Sequence, residues 1–335
     1  MQKIRISDPT LRDGNHAVGH TLNAEQIAAY CTAADAAHIP VVEVGHGNGI
    51  GASSLQLGMG ALPDREMLTL ARGALTHSRL GIHVIPGFAT IKKDLEMAVD
   101  VGVDVFRLAA HCTEADITER HIAFARAQGK EAIGVLMMSH MASKEKLLEE
   151  GKKMESYGAQ ALMLMDSAGA YLPADVTEKI GHLVKNLSIP VGFHAHNNLG
   201  LAIANSVAAV EAGALMLDGT ARALGAGAGN AQLEVLVAVL HKMGYETGID
   251  LDKLFDAAEL AEEKLVKNHP RITTLNLVSG LTGVFSGFVK HVERAAKEYN
   301  VSPREIFFAL GKRGIVAGQE DIIIEVAMEL AKKKA

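Results

Sequence analysis

An α/β protein built as a (β/α)8 TIM barrel with a C-terminal helical extension is what this sequence predicts, and three observations carry the prediction. Short apolar, β-branched runs recur at intervals of roughly 20 to 35 residues with helical periodicity between them, the mark of repeated βα units and a parallel sheet. Polar residues, histidine above all, gather at one end of nearly every run. Past Asn230 the strands stop and only helical patterns remain.

The first run, 4–7, alternates through Ile4, Arg5 and Ile6 as a strand with one buried face does. It opens into T-L-R-D-G-N-H at 10–16, and a helix is expected at 23–37. The second run, 41–44, carries Glu43 and leads to His46; the third, 81–85, meets Pro86; the fourth, 105–109, is followed by His111. The fifth, 132–137, precedes His140 and a helix expected at 143–157. The sixth, 161–165, meets Asp166 and Ser167, the seventh, 190–193, meets His194 and His196, and the eighth, 215–217, meets Asp218. In a closed parallel barrel this C-terminal end builds the active site. Loops are polar in any protein, but that does not account for the recurring histidine.

Beyond the eighth run, helices are expected at 233–242, 251–267, 284–299, 303–311 and 321–332. The barrel is therefore expected over 1–230, with its last helix closing near 245, and 246–335 is expected to be a helical region that docks a partner or makes a dimer contact. The stretch 275–288 is rich in small residues, which fits close backbone approach or a core helix equally well.

Composition excludes several classes. With 48% apolar and 21% charged residues, the 335-residue chain reads as a folded protein with ample core. A formal net charge of −6 without basic clusters, beyond the short tail 332–334, gives no support for nucleic-acid binding. Cys31 and Cys112 lie far apart and form no thiolate pair, which points to a reducing, cytoplasmic setting. No apolar run approaches the ~20 residues of a membrane helix, and residues 1–7 contain no apolar signal region.

The chemistry concentrates in two places. His194 and His196 stand at i and i+2 of a strand and so project to one face, where two imidazoles can reach one cation. Asp13, one strand over across the barrel closure, completes a set of two histidines and one carboxylate with open positions for substrate. Such ligands suit Mn²⁺, Co²⁺, Fe²⁺ or Zn²⁺, and Mg²⁺ less well. Arg12 offers a permanent forked charge to an oxyanion beside that cation. His16, not needed as a ligand, is the expected general base. His46, His111 and His140 are expected to hydrogen-bond and orient the ligands. Ser167 either contacts a substrate carboxylate or caps the next helix. The glycine-rich 225–230 lacks the Lys-Ser/Thr of a phosphate loop.

Together with E-V-G-H-G-N-G, H-C-T-E-A-D, G-V-L-M-M-S-H-M, M-D-S-A-G, G-F-H-A-H-N-N-L, A-N-S-V-A-A-V-E-A-G, G-A-G-A-G-N and G-Q-E-D, the opening heptad makes almost the whole chain resemble the metal-dependent 4-hydroxy-2-oxoacid aldolases, a branch of the barrel metallolyases. The resemblance implies a class II pyruvate aldolase, a carbon–carbon lyase acting on 4-hydroxy-2-oxoacids of the 4-hydroxy-2-oxovalerate type. It implies that Asp13, His194 and His196 bind a divalent ion, Mn²⁺ first, with Co²⁺, Mg²⁺ or Zn²⁺ as the others. Arg12 would steady an enolate, His16 would move the proton, and Ser167 would contact substrate with Arg12, Asp13 and His194. The implied partner is an acylating acetaldehyde dehydrogenase docked on the helical region.

One departure stands out. Where the family reads G-V-Y-S-S-F, this chain reads G-V-F-S-G-F, so Phe285 replaces a substrate-positioning tyrosine, and Tyr171 is the expected stand-in. Two alternatives are a CoA-ester lyase or Claisen-type synthase of the same group, and a weakly active subunit that mainly holds a dehydrogenase. A reactive cysteine in 225–230 would mark the lyase, and that loop has none.

Overall fold

The computed structural model describes residues 2–316 and 318–334. Its parallel strands close in chain order: β1 (Arg5–Leu11), β2 (Val41–Val44), β3 (Arg79–Val84), β4 (Val105–His111), β5 (Glu131–Met137), β6 (Ala161–Asp166), β7 (Val191–Ala195) and β8 (Met216–Asp218). The closing pair aligns Arg5 with Met216, Ile6 with Leu217 and Ser7 with Asp218, which sets the first and last strand ends side by side. The outer layer consists of α1 (Ala24–Ala36), α2 (Asp64–Ala74), α3 (Glu96–Val101), α4 (Glu119–Ala127), α5 (Lys144–Ser156), α6 (Pro173–Asn186), α7 (Ala202–Glu211) and α8 (Leu233–Lys242).

Local chemistry explains the boundaries. Asn23 starts α1 with a reciprocal cap: its side chain accepts from the Gln26 N–H at 2.9 Å, and the Gln26 side chain accepts from the Asn23 N–H at 2.9 Å. β1 outruns its expected end because the chain stays extended through Asp8, Pro9 and Thr10. Proline usually argues against a strand, yet here the register against β2 shifts between Asp8 and Leu11 and absorbs the missing donor.

Inward-facing Val41, Val105, Ile133, Val135, Met163 and Met216 fill the barrel, and the helices cover its outside. The helix α9 (Leu251–Lys264) packs on α1 and α8, and its Leu254 and Ala261 belong to the barrel's core. A separate core of Val278, Val292, Ile306, Phe307, Leu310 and Ile323 holds α10 (Thr274–Thr282), α11 (Val289–Glu298), α12 (Pro303–Arg313) and α13 (Asp321–Lys334). The extension thus packs on its own only from α10, later than residue 246. An amphipathic stripe gives the direction of burial but not which neighbour supplies the other face.

The helix expected over 284–299 is also divided. Gly283 takes φ +66° and ends α10, and the chain then turns through Phe285 before α11 begins. Phe285 therefore sits on a turn. Among the described residues, no helix is long and apolar enough to cross a membrane.

Candidate active site

Where β1 ends, a tight 3-10 turn spans Asp13–His16 and presents alternating contacts to opposite sides of the barrel mouth. Arg12, only 3% exposed, donates from Nε to Glu43 on β2 and from Nη1 to the Gly47 carbonyl at 3.3 Å. Its Nη2 has no partner among the described residues. A buried guanidinium nitrogen left open in this way is suited to receive an incoming oxyanion.

Asp13 faces both histidines of β7 and its exit loop. Asp13 Oδ2 lies 3.2 Å from His194 Nε2 and 3.6 Å from His196 Nε2, and those two nitrogens are 3.4 Å apart. Among the described residues these three side chains form the cluster whose ligand atoms lie within 4.8 Å of one another, all buried. His194 donates from Nδ1 to Asp218 Oδ2 at 2.8 Å, which turns its Nε2 lone pair toward Asp13. Lone pairs crowded against a carboxylate repel one another unless a proton or a metal cation sits among them, and the donor set fits a divalent metal with two nitrogen ligands and one oxygen. Asn230 donates to Asp13 Oδ2 at 2.9 Å and holds the carboxylate's orientation.

The electrostatics agree with these roles at Asp13, His196 and His16, while at His194 burial is outweighed by the Asp13 and Asp218 carboxylates, which raise the imidazole. Burial alone would raise the Asp13 carboxyl, but Arg12, His196 and His194 hold it well below the usual carboxylate range. Burial pushes the His196 imidazole down to about 4 against the opposing pull of Asp13. Burial also lowers His16 to about 4, with Arg12, His46 and Lys290 adding to the effect and Asp13 opposing it. A neutral imidazole at ordinary pH can accept a proton.

His16, Ser167, Phe285 and His111 line a cavity of about 920 Å³ between the barrel mouth and the helical extension. Arg12, Asp13, His194 and His196 are buried alongside it. Asn230, which holds Asp13, lies against Gly225 of the cavity wall. Ser167 Oγ accepts the Met138 N–H at 3.0 Å, so its proton remains available to the cavity.

Four expectations need correction. His46 stacks on His20 with ring centroids 3.7 Å apart and bonds the Gly58 carbonyl through Nε2 at 3.1 Å; it bonds no metal-site residue. His111 pairs with the Thr113 hydroxyl at 2.9 Å. His140 donates from Nε2 to the Gly283 carbonyl at 2.9 Å, joining the barrel to the end of α10. The supporting places expected for these histidines are taken by Asp218 and Asn230. Tyr171 is no stand-in for the missing phenol: it is 3% exposed, its hydroxyl donates to Ser139 Oγ at 3.1 Å, and it packs against Phe193 away from the cavity.

Sequence reasoning named Glu43 and Asp218 only as polar strand ends and passed over Arg107 and Asn230. A signal was there for two of them. Glu43 interrupts V-V-E-V and Arg107 interrupts V-F-R-L-A, and a charge inside an apolar strand needs a buried partner.

Comparison with known proteins adds a consistent picture. The HMGL-like family profile matches residues 3–261, and the DmpG-like communication domain matches 270–332. The chain is 62% identical over 332 residues to a 4-hydroxy-2-oxovalerate aldolase of Pectobacterium atrosepticum, covering 99% of this chain and 97% of the relative. It is 61% identical over 330 residues to one of Spirochaeta aurantia, covering 98% and 97%. The carboxyl transferase domain of Rhizobium etli pyruvate carboxylase, solved with pyruvate and biocytin, superposes with a TM-score of 0.83 at 16% identity. That match spans 99% of this chain and 61% of the other, and at such low identity it is a likeness of fold.

Proposed function

Because this chain belongs to the family of 4-hydroxy-2-oxovalerate aldolases, divalent-metal carbon–carbon lyases, we propose that it cleaves 4-hydroxy-2-oxoacids to pyruvate and an aldehyde with the residues named above in defined roles. The observation that carries this reading is the convergence of Asp13, His194 and His196 beside a cavity that also receives His16.

Asp13, His194 and His196 would hold a divalent ion, Mn²⁺ in our reading, which would supply Lewis-acid polarisation of the 2-oxo group. His16, neutral at ordinary pH, takes the proton from the C4 hydroxyl. The C3–C4 bond breaks, its electron pair moves into the pyruvate enolate, and the C4 oxygen becomes the aldehyde carbonyl. Arg12 Nη2 donates to the oxygen on which negative charge grows. Return of that proton from His16 to C3 completes pyruvate and restores the neutral imidazole. Ser167 and the wall at Gly225 and Gly227 hold the acid's remaining oxygens and exclude water.

The communication domain over 270–332 is a partner-facing element, and its proposed partner is an acylating acetaldehyde dehydrogenase that accepts the aldehyde. Cys31 and Cys112, both free and buried, suit a reducing compartment, which supports a cytoplasmic setting.

Purified protein with Mn²⁺ and racemic 4-hydroxy-2-oxovalerate, coupled to lactate dehydrogenase, should oxidise NADH as pyruvate forms. No pyruvate across several metals and several 4-hydroxy-2-oxoacids would sink the reading.

A further inference from the structure

We infer that Arg107 is a positioning residue that ties the metal side of the site to its enolate side, an inference that rests on the metal-centre reading above. Arg107 lies on β4 inside the barrel, is 1% exposed, and has no part in the proton and electron movements of the cleavage. Its two terminal nitrogens divide between strands that are not neighbours of β4. Nη1 donates to Glu43 Oε2 on β2 at 2.8 Å, and Nη2 donates to Asp218 Oδ2 on β8 at 2.6 Å.

Each of those carboxylates holds one functional group. Glu43 Oε1 accepts from Arg12 Nε, and Asp218 Oδ2 accepts from His194 Nδ1 at 2.8 Å. The circuit closes through His194 Nε2 at 3.2 Å from Asp13 Oδ2 and Arg12 Nη1 at 3.7 Å from Asp13 Oδ1. Arg12, Glu43, Arg107, Asp218, His194 and Asp13 thus form a buried ring, none of them more than 3% exposed.

The ring explains why an arginine stands at 107. A planar fork reaches two carboxylates at once and fixes their planes, whereas an ammonium is a single point charge. Fixing Asp218 sets the His194 tautomer and aims Nε2 at the cation. Fixing Glu43 engages Arg12 Nε and leaves Nη2 open for the substrate oxygen. One guanidinium, touching neither ligand nor substrate, thereby determines both.

The test uses the full-length chain. Free Mn²⁺ is measured by electron paramagnetic resonance during titration of wild type and Arg107→Lys, and inhibition by oxalate, a planar mimic of the pyruvate enolate, is measured at saturating Mn²⁺. Arg107→Lys should weaken Mn²⁺ about 10- to 100-fold, in the range seen when groups supporting metal ligands are lost. At saturating metal, oxalate should still bind at least several-fold more weakly and kcat should stay depressed, because Arg12 is no longer aimed. A purely structural role would lower the melting temperature and the active fraction without changing either constant in the folded protein.

Unchanged Mn²⁺ affinity in Arg107→Lys, or full recovery of oxalate binding once Mn²⁺ saturates, overturns the inference. Should Arg107→Lys fail to fold, Glu43→Gln, Asp218→Asn and their double variant carry the same question. The ring requires their effects on Mn²⁺ affinity to be non-additive, and additive effects overturn it. Wild type that binds no Mn²⁺ removes the metal-centre reading, and this inference with it. Wild type that binds while the variants bind equally well removes the inference alone.

Discussion

The imidazole of His16 rests on the bare backbone of Gly47: a Cβ at residue 47 would lie 2.6 Å from Cδ2, Cε1 and Nε2 of that ring. Real carbon atoms do not approach so closely, so the glycine and the histidine occupy one space between them. The Gly47 carbonyl also takes Arg12 Nη1, and its N–H reaches His20 Nδ1 at 3.5 Å. Gly47→Ala should displace the His16 ring and lower kcat at least tenfold while Mn²⁺ affinity stays within about twofold, since the atoms nearest that Cβ all belong to the His16 ring. Steady-state kinetics and Mn²⁺ titration on one preparation check both halves.

His16 itself gives a pH prediction. Its imidazole protonates near 4 in the folded chain and near 6.5 when unfolded. As a base it is competent above the folded value, so the acid limb of kcat/KM should fall below about pH 5, with no inflection near 6.5. The same depression makes stability decline as pH falls from 6.5 toward 4, because only the unfolded chain takes up the proton there. His16→Ala should abolish most cleavage with the metal retained. Loss of Mn²⁺ from that variant would assign the ligands differently.

His140 tests the corrected role. Its bond to the Gly283 carbonyl clamps the turn that carries Phe285 to the cavity, far from any ligand contact. His140→Ala should raise KM severalfold and leave Mn²⁺ affinity unchanged. A large metal effect would restore the ligand-orienting role expected from sequence.

Phe285 presents an apolar edge to the cavity at the position where the sequence resemblance implies a phenol. With no donor there, the two faces of C4 are poorly distinguished, so wild type should consume well over half of a racemic 4-hydroxy-2-oxovalerate sample. Phe285→Tyr should stall near half. Chiral analysis of the residual substrate reads the difference, and identical residues in both proteins would dispose of the idea.

Far from the chemistry, Asp35 ties α1 to the approach of β3. Its Oδ1 accepts the N–H groups of Thr76, His77 and Ser78 at 2.9, 2.8 and 2.7 Å, and Oδ2 accepts the Thr76 hydroxyl at 2.7 Å. Burial opposes the charge, yet these donors hold the carboxyl down at about 2. Asp35→Ala strands several donors and should cost about 2–4 kcal/mol at pH 7. Because the folded value is depressed, this stabilisation is present above about pH 4 and fades as pH falls toward 2. Denaturant melts of both proteins at pH 7 and pH 3 should show the gap narrowing.

Much of the site was legible because its signals are local. The i and i+2 spacing of His194 and His196 needs only a strand, and the heptad at 10–16 needs only a strand end. His140 shows where local reading stops: a histidine after β5 has several strand-end neighbours to bond, and its partner lies on the extension at Gly283.

The sequence by itself determined the repeating βα units, hence the closed barrel, because alternation and helical periodicity follow from backbone geometry residue by residue. It also determined which side chains could serve as ligands and base, since their chemistry travels with them. Only the tertiary structure decided how the buried charges pair. Closure of β8 on β1 brings Asp13 to His194 and His196, and the barrel's interior lets Arg107 reach from β4 to Glu43 on β2 and Asp218 on β8. Those contacts span strands that share no hydrogen bond, and such a partner is set by the shape of the enclosed interior and by the cost of leaving a charge unpaired within it.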